Sequence, residues 1–418
     1  VTLLVRALLI VSVPVNFSFD GFQRWAGREH LLVQVWLPLT QSIVAAAVAG
    51  GAGIEGTRLV LAVVSSLAAA AGVLLAGLLA GPRAAWAYLP IACFGPSIAW
   101  GSALYQEGTF LLVLFSGLLL AGRGRAAAGD IVIGLLALVR YEGWPCVLLY
   151  VAWRRDPRAL LALWGMAAWL ALRAGGAEGY AASPVDFDDW RGLAERASVD
   201  AWVADAARLL RQSVGSGALV IVGAALVGVV VGWRHPTVRL LAGVGALQLA
   251  AVAGWLVGLE SATHRMLVLP VAILGVLAAV AIARLWERVP KWARLALTTY
   301  GAGAGASGLL DAREIVLSEA RRLEVDRDLY QQIVSRPACT WRVWPRRGLG
   351  TRERHDGCEV IQGQGELRHG AGFWCATWEP PPDPRTTCVV DARWEEGAGY
   401  RVTVWTDGQP TPWPSVDD

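Results

Sequence analysis

An all-α polytopic membrane protein with a small C-terminal α+β extracytoplasmic domain is the architecture that the sequence predicts, and three observations predict it. The 418 residues are 55% hydrophobic with mean hydropathy +0.46, more apolar side chain than a water-soluble fold of this size hides in one core. Apolar runs recur, each of about 20 residues, the length a helix needs to cross a hydrocarbon layer of roughly 30 Å. From Asp311 the composition changes to a charged stretch and then to short aromatic and β-branched runs.

Taken in order, the first segment, Val1 to Phe17, reads as an uncleaved anchor, because no small-x-small cleavage site follows it. Leu37 to Ala52 is short for a span and ends in Gly50-Gly51-Ala52-Gly53, so it reads as re-entrant or interfacial. Helices are then expected at 59–80, 86–104, 108–122, 126–139, 143–153, 159–173, 213–232, 240–258, 266–286 and 295–310, which with the first segment makes about eleven transmembrane crossings. The arginine clusters at Arg83, Arg123/Arg125, Arg154/Arg155/Arg158, Arg234/Arg239 and Arg284 to Arg294 separate alternate spans and are assigned to the cytoplasm by the positive-inside rule. The outer side then receives residues 18–58, 105–107, 140–142, 174–212, 259–265 and everything after about residue 311. A transmembrane domain over 1–310 and an extracytoplasmic appendage over 311–418 follow.

Within the first outer loop, Phe22, Trp25, Leu32, Val33 and Trp36 recur at helical spacing between polar residues, as in a helix lying in the headgroup plane. Residues 186–212, with Trp190, Leu193, Ala197, Trp202 and Leu209, read as a second interfacial element. In the appendage, strands are expected at Cys339 to Trp344, Cys358 to Ile361, Phe373 to Trp378, Cys388 to Ala392 and Tyr400 to Thr406. Four of the six cysteines (Cys339, Cys358, Cys375 and Cys388) fall there, and an even count in a small outward-facing domain favours two disulfides over a zinc site, with three pairings open. Cys93 and Cys146 fall inside spans and read as packing residues.

The net charge of +3 reflects arginines placed by the bilayer, with Lys291 the only lysine, and nucleic acid is excluded as a partner. The arginine bias suggests a GC-rich, bacterial genome, so the bacterial inner membrane is the expected location. No phosphate-binding glycine loop, H-E-x-x-H, G-x-S-x-G or dinucleotide fingerprint is present. The glycines from Gly301 to Gly308 lie in a span, where small residues let helices approach.

The candidate chemistry therefore sits in the outer loops. Asp20 leaves the first segment at the aqueous boundary, where a carboxylate either ends a span or accepts a proton. Glu107 either caps its span or serves a site. Arg140 and Glu142 either pair with each other or bring a guanidinium to a lipid phosphate. His264 and Arg265 run against the topological trend of positive charge, although Glu260 is close enough in sequence to neutralise Arg265. Arg24 and Arg28 suit a phosphate or simply an amphipathic surface helix. Trp341, Trp344, Trp374 and Trp378 can stack on sugars or build the appendage core.

Four segments carry a resemblance: Asp20-Gly21-Phe22-Gln23-Arg24 through Trp36-Leu37-Pro38-Leu39, Ala103-Leu104-Tyr105-Gln106-Glu107, Arg140-Tyr141-Glu142-Gly143, and His264-Arg265-Met266-Leu267-Val268-Leu269-Pro270. Their order and shared outer location resemble the GT-C superfamily of integral-membrane glycosyltransferases, and mannosyltransferase-like members among them. The resemblance implies a polyprenyl-phosphate-linked sugar donor, an extracytoplasmic acceptor (glycan, lipid or protein) and a catalytic base at Asp20. It places Arg24, Arg28, Glu107, Arg140, Glu142, His264 and Arg265 around the substrates. Many members carry paired acidic residues in the first outer loop, whereas here Gly21 follows Asp20 and the next carboxylate is Glu29. A divalent cation, Mg or Mn, would thus need Glu107 or another loop to complete its ligands. The competing expectation is a transporter or scaffold for lipid-linked sugars, for which Asp130, an ionisable residue inside a span, is the main feature.

Overall fold

The computed structural model describes residues 2–12, 37–174, 203, 217–258 and 264–334 together with the strand residues named below. Asp20, Arg24, Arg28 and Cys339 lie outside the described residues, as do the surface helix of the first loop and most of the 186–212 element. The chain divides into two compact units, one of Val1–Pro14 and Gly27–Ile315 and one of Val15–Ala26 and Val316–Asp418.

The first unit is helical. Its helices are α1 (Thr2–Ser12), α2 (Pro38–Ala49), α3 (Ile54–Ala80), α4 (Pro82–Ala92), α5 (Gly95–Trp100), α6 (Glu107–Gly122), α7 (Ala126–Gly134), α8 (Gly143–Arg154), α9 (Trp164–Ala174), α10 (Ala218–Gly232), α11 (Pro236–Gly258), α12 (Val268–Leu285) and the start of α13 (Lys291–Val334). Three are long and apolar enough to cross a membrane: Ile54–Ala80, Pro236–Ala253 and Arg265–Arg288, the last window including the 3-10 turns at both ends of α12. The other apolar helices are shorter because their runs are interrupted. Residues 86–104 are split at Cys93-Phe94 into α4, which carries Pro90 in its last turn, and α5, which opens with Gly95-Pro96, where a proline's missing amide costs nothing. Residues 126–139 and 159–173 each contain a 3-10 segment, Leu135–Leu138 and Pro157–Leu163. Leu37 to Ala52 forms the twelve-residue α2, stopped at Gly50. The expected span 295–310 does not end at Asp311 but belongs to the 44-residue α13.

Hydrophobicity all round a helix predicts a central position, and α12 occupies it: 89% of the Arg265–Arg288 window is buried, with α3, α4, α6, α10 and α11 packed around it. By contrast α3 has two faces. Leu61, Ala68 and Leu75 are buried, while Leu67, Leu74 and Leu78 are exposed on a soluble scale, and such an apolar outer face belongs against lipid. Helix α13 reaches α5 closely at Gly308 and Gly95. A Cβ on Gly95 would lie 2.8 Å from Gly308 O and 2.8 Å from Asp311 Cβ; of the glycines from Gly301 to Gly308, Gly308 serves this close approach, whereas Gly303 has nothing within 4 Å of where a Cβ would stand.

The turns sort into two ends. Arg83 pairs with Glu287, Arg284 Nη1 donates to Val231 O at 2.9 Å, and Trp153 Nε1 donates to Pro236 O at 2.8 Å. These contacts gather the arginine-bearing turns around residues 83, 154, 234 and 287 at one end of the bundle. The starts of α6, α8 and α12 meet at the other.

In the second unit the described strands are β1 (Thr340–Pro345), β2 (Arg354–His355), β3 (Cys358–Gly363), β4 (Gly372–Thr377), β5 (Thr387–Glu395), β6 (Gly399–Thr406) and β7 (Gln409–Pro412), in the sheet order β2-β3-β4-β1-β5-β6-β7. Aromatic and β-branched residues dominate these runs, which is what a pleated surface accommodates best. Pairing is antiparallel except between β1 and β5, where Trp341 aligns with Cys388. On the β3–β4 pair Val360 is opposite Cys375 and Cys358 is opposite Thr377, which puts the two cysteines two register positions apart.

Candidate functional site

Three turns widely separated in sequence converge where α6, α8 and α12 begin. Glu107 is the first residue of α6, and Glu142 is the residue before α8, so both carboxylates sit at helix N-termini whose partial positive charge favours them. Arg140 precedes Glu142 in a tight turn closed by Gly143 N donating to Arg140 O at 2.9 Å and Trp144 N donating to Tyr141 O at 3.0 Å. Arg265 comes from the 3-10 turn His264–Leu267 that leads into α12.

The side chains form one continuous ion cluster. Glu107 Oε1 accepts from Arg140 Nη1 at 2.7 Å and from Arg265 Nε at 2.7 Å. Arg140 then grips Glu142 with two parallel bonds, Nε to Oε2 at 3.1 Å and Nη2 to Oε1 at 2.7 Å, the bidentate geometry that a guanidinium allows and an ammonium does not. The four side chains are only 5–19% exposed. Below, the Arg265 guanidinium lies 3.9 Å from the Tyr105 ring centroid, and Tyr105 meets Trp100 edge-on at 5.2 Å, so Arg265 is held by a carboxylate at its edge and a ring at its face.

Burial disfavours both carboxylates as anions, but the guanidinium groups outweigh it. Arg265 and Arg140 hold Glu107 below the usual glutamate value of 4.5, and Arg140 does the same for Glu142. Desolvation likewise works against charge on Arg140, yet Glu142 and Glu107 raise its affinity for the proton. The cluster is therefore fully ionised at neutral pH and balanced, two cations against two anions.

Of the residues singled out in the sequence, Glu107, Arg140, Glu142 and Arg265 are thus brought together, and of the alternatives for Arg140 and Glu142 the geometry has the first: they pair with each other, and the pair is tied to Glu107. The His264 backbone joins the same turn as Arg265. Glu260 lies outside the described residues, and the carboxylate that meets Arg265 is Glu107. A fourth segment reaches this end too, since Leu37 and Leu39 pack with Leu138, Tyr141, Trp144 and Trp169. Glu107 is poorly suited to bind a cation while two arginines share one of its oxygens, and no group of three or more metal-ligating side chains occurs among the described residues. Cys146 is buried against Gln248 Nε2 at 3.6 Å and Cys93 is half-buried, both free thiols.

Sequence reasoning missed Arg6 and Arg58, which are 2% and 0% exposed. Arg6 stands between Val5 and Ala7 inside an apolar helix and Arg58 directly precedes the apolar run from Leu59, and a charge so placed is the signal that singles them out. Arg58 Nε donates to Ser102 O at 3.0 Å, just below the Tyr105–Glu107 turn. A second buried polar group stands toward the arginine-rich end: Tyr150 Oη donates to Asp130 Oδ1 at 2.6 Å, and Arg154 Nε approaches the same oxygen at 3.4 Å.

Comparison with family models, with curated proteins and with solved structures finds no match to this chain.

Proposed function

We propose that the chain is a membrane glycosyltransferase of the bacterial inner membrane that moves a sugar from a polyprenyl-phosphate carrier to an acceptor hydroxyl on the extracytoplasmic side. The observation that carries this reading is the convergence of Glu107, Arg140, Glu142 and Arg265 at one end of an apolar bundle. Three of the four segments that carry the resemblance supply those residues, and the fourth packs beside them through Leu37 and Leu39.

In this reading Asp20 takes the acceptor's proton as the acceptor oxygen forms a bond to the anomeric carbon. The bond from that carbon to the phosphate oxygen breaks, its electrons stay on the departing phosphate, and the configuration inverts. Such a step needs one base and stabilisation of the leaving charge. Each of Arg140's three nitrogens already bonds a carboxylate, so Arg140 acts by fixing the two glutamates, and Arg265 is assigned to the phosphate with Arg24, Arg28 and His264 around it. Mg or Mn, if used, takes its ligands from Asp20 and groups other than Glu107. The finer architecture belongs to the same proposal: about eleven crossings, and an α+β appendage outside the cell carrying disulfides among Cys339, Cys358, Cys375 and Cys388.

The runner-up, a non-catalytic transporter or scaffold for lipid-linked sugars, has the buried Asp130 in its favour. Its contacts with Tyr150 and Arg154, whose Nη2 also meets Asp156 at 3.5 Å, tie it instead to the arginine-bearing turn as an anchor. The test is incubation of purified protein in lipid with radiolabelled mannose, arabinose and glucose carriers. Wild type consumes at least one of them, and Asp20→Asn, still folded and inserted, is slower by about 10² to 10⁴. Transfer at the wild-type rate in that variant removes Asp20 from the mechanism.

A further inference from the structure

Among the described residues Arg6 is a buried cation without a counter-charge. It lies in α1 at 2% exposure; Nη1 donates to Ser66 Oγ at 2.8 Å and Nη2 to Ser97 O at 3.0 Å, both neutral groups. Its Nε is buried and bonds to nothing. No carboxylate pairs with it among the described residues. An arginine stays protonated in a protein, and an unbalanced charge removed from water costs several kcal/mol even after the surroundings relax.

A cavity of about 30 Å³ opens beside it, with Ser65, Ser97, Gly101 and Gly108 among its walls. The local chain is built to leave that space. A Cβ on Gly101 would stand 2.6 Å from Arg6 Nε, and one on Gly108 would collide with the Ser65 hydroxyl. Ser65 is eleven residues into α3, roughly 16 Å along the helix from its first residue, so the cavity lies within the apolar bundle. Arginine and serine give it hydrogen-bond donors. Glu107 contributes to the wall, but Arg140 and Arg265 balance its charge, and the Tyr88 hydroxyl donates away to Ala272 O at 3.1 Å.

We propose that this cavity is a binding site for one small inorganic anion of the halide class, which neutralises Arg6 inside the membrane. Charge decides between anions: one guanidinium held only by neutral groups calls for a single negative charge, which a halide carries and a doubly charged phosphate exceeds. The site is argued from Arg6 and the serines beside it, and the proposal stands whether or not the transferase reading does.

The test is the unfolding temperature of the purified full chain in detergent, titrated with sodium chloride or bromide against sodium gluconate at constant ionic strength. Gluconate screens charge equally but is too large to enter. The expected result is a rise with halide that gluconate does not give, absent in Arg6→Gln. Because Arg6→Gln can fail to fold, equilibrium dialysis of wild type and Ser65→Val against radiolabelled chloride is measured in parallel. One chloride retained per wild-type chain, with retention lost or weakened at least tenfold in Ser65→Val, is expected. Equal responses to halide and gluconate in wild type, a halide-specific rise unchanged in Arg6→Gln, or no chloride retained by wild type each overturns the proposal.

Discussion

Replacing Glu107 by glutamine keeps the side chain's shape and removes its charge, and the geometry of the cluster sets the consequence. Two guanidinium groups, each 2.7 Å from Glu107 Oε1, would face one amide oxygen able to satisfy only part of their donor capacity. Arg140 retains its bidentate partner Glu142, whereas Arg265 loses the carboxylate that holds its Nε. The groups are at most 17% exposed on the Glu107–Arg140–Arg265 side, so solvent screens little of the loss, and removing one partner of a buried pair costs about 3–5 kcal/mol. We expect a value at the lower end, about 3 kcal/mol, because Glu142 still compensates Arg140. The double variant Glu107→Gln/Arg265→Gln restores charge balance around the Arg140–Glu142 pair. It should therefore be less destabilised than the sum of the single variants, with a coupling of about 2 kcal/mol, inside the range for contacting residues. Unfolding by SDS titration, followed by circular dichroism, reads all three differences. A Glu107→Gln variant within about 0.5 kcal/mol of wild type, as for an ordinary surface change, or strictly additive single effects, would mean that the buried charges are not coupled in this way.

The same cluster predicts a pH dependence: its glutamates titrate below the ordinary value of 4.5, so their contribution is complete above that value and is lost as the pH falls through their lowered folded values. The unfolding temperature measured downward from pH about 6 should fall more steeply in wild type than in Glu107→Gln/Glu142→Gln; coincident curves contradict this. Toward the arginine-rich end, Tyr150→Phe leaves the fully buried Asp130 without its 2.6 Å donor and should cost about 1–3 kcal/mol in the same SDS titration. In the proposed transferase reading, transfer should be unaffected by it, and a variant as stable as wild type that transfers slowly would show that Asp130 has been misjudged.

How much of the fold and the site was legible in the sequence depended on whether the deciding signal was local. Helix positions were, because apolar length is local: 59–80 and 108–122 correspond to the helices Ile54–Ala80 and Glu107–Gly122, of which the first is long enough to cross a membrane. Breaks within apolar runs were not. The 3-10 segment at Leu135–Leu138 has no proline and no composition that marks it, since backbone groups freed there are satisfied by neighbours. The arginines and glutamates of the site stood out singly because charge next to apolar sequence is costly, but their pairing joins residues 33 and 158 positions apart, which no local pattern encodes. Arg265 was weighed against Glu260, its neighbour in sequence, which lies outside the described residues, and it meets Glu107 across 158 positions. Arg6 and Arg58 escaped notice because attention went to loops, whereas both lie inside helices.

If the chain is a transferase of this kind, the lipid-linked head group binds where α6, α8 and α12 begin. A polyprenyl phosphate bearing a photoreactive group beside its phosphate, crosslinked to the protein in lipid and mapped by mass spectrometry, reads that position. Label is expected on the peptides containing Glu107, Arg140 to Glu142 and Arg265, competed away by unlabelled carrier. Label concentrated instead around Arg83, Arg154 and Arg284 at the opposite end, or along the bundle interior near Asp130, would contradict it.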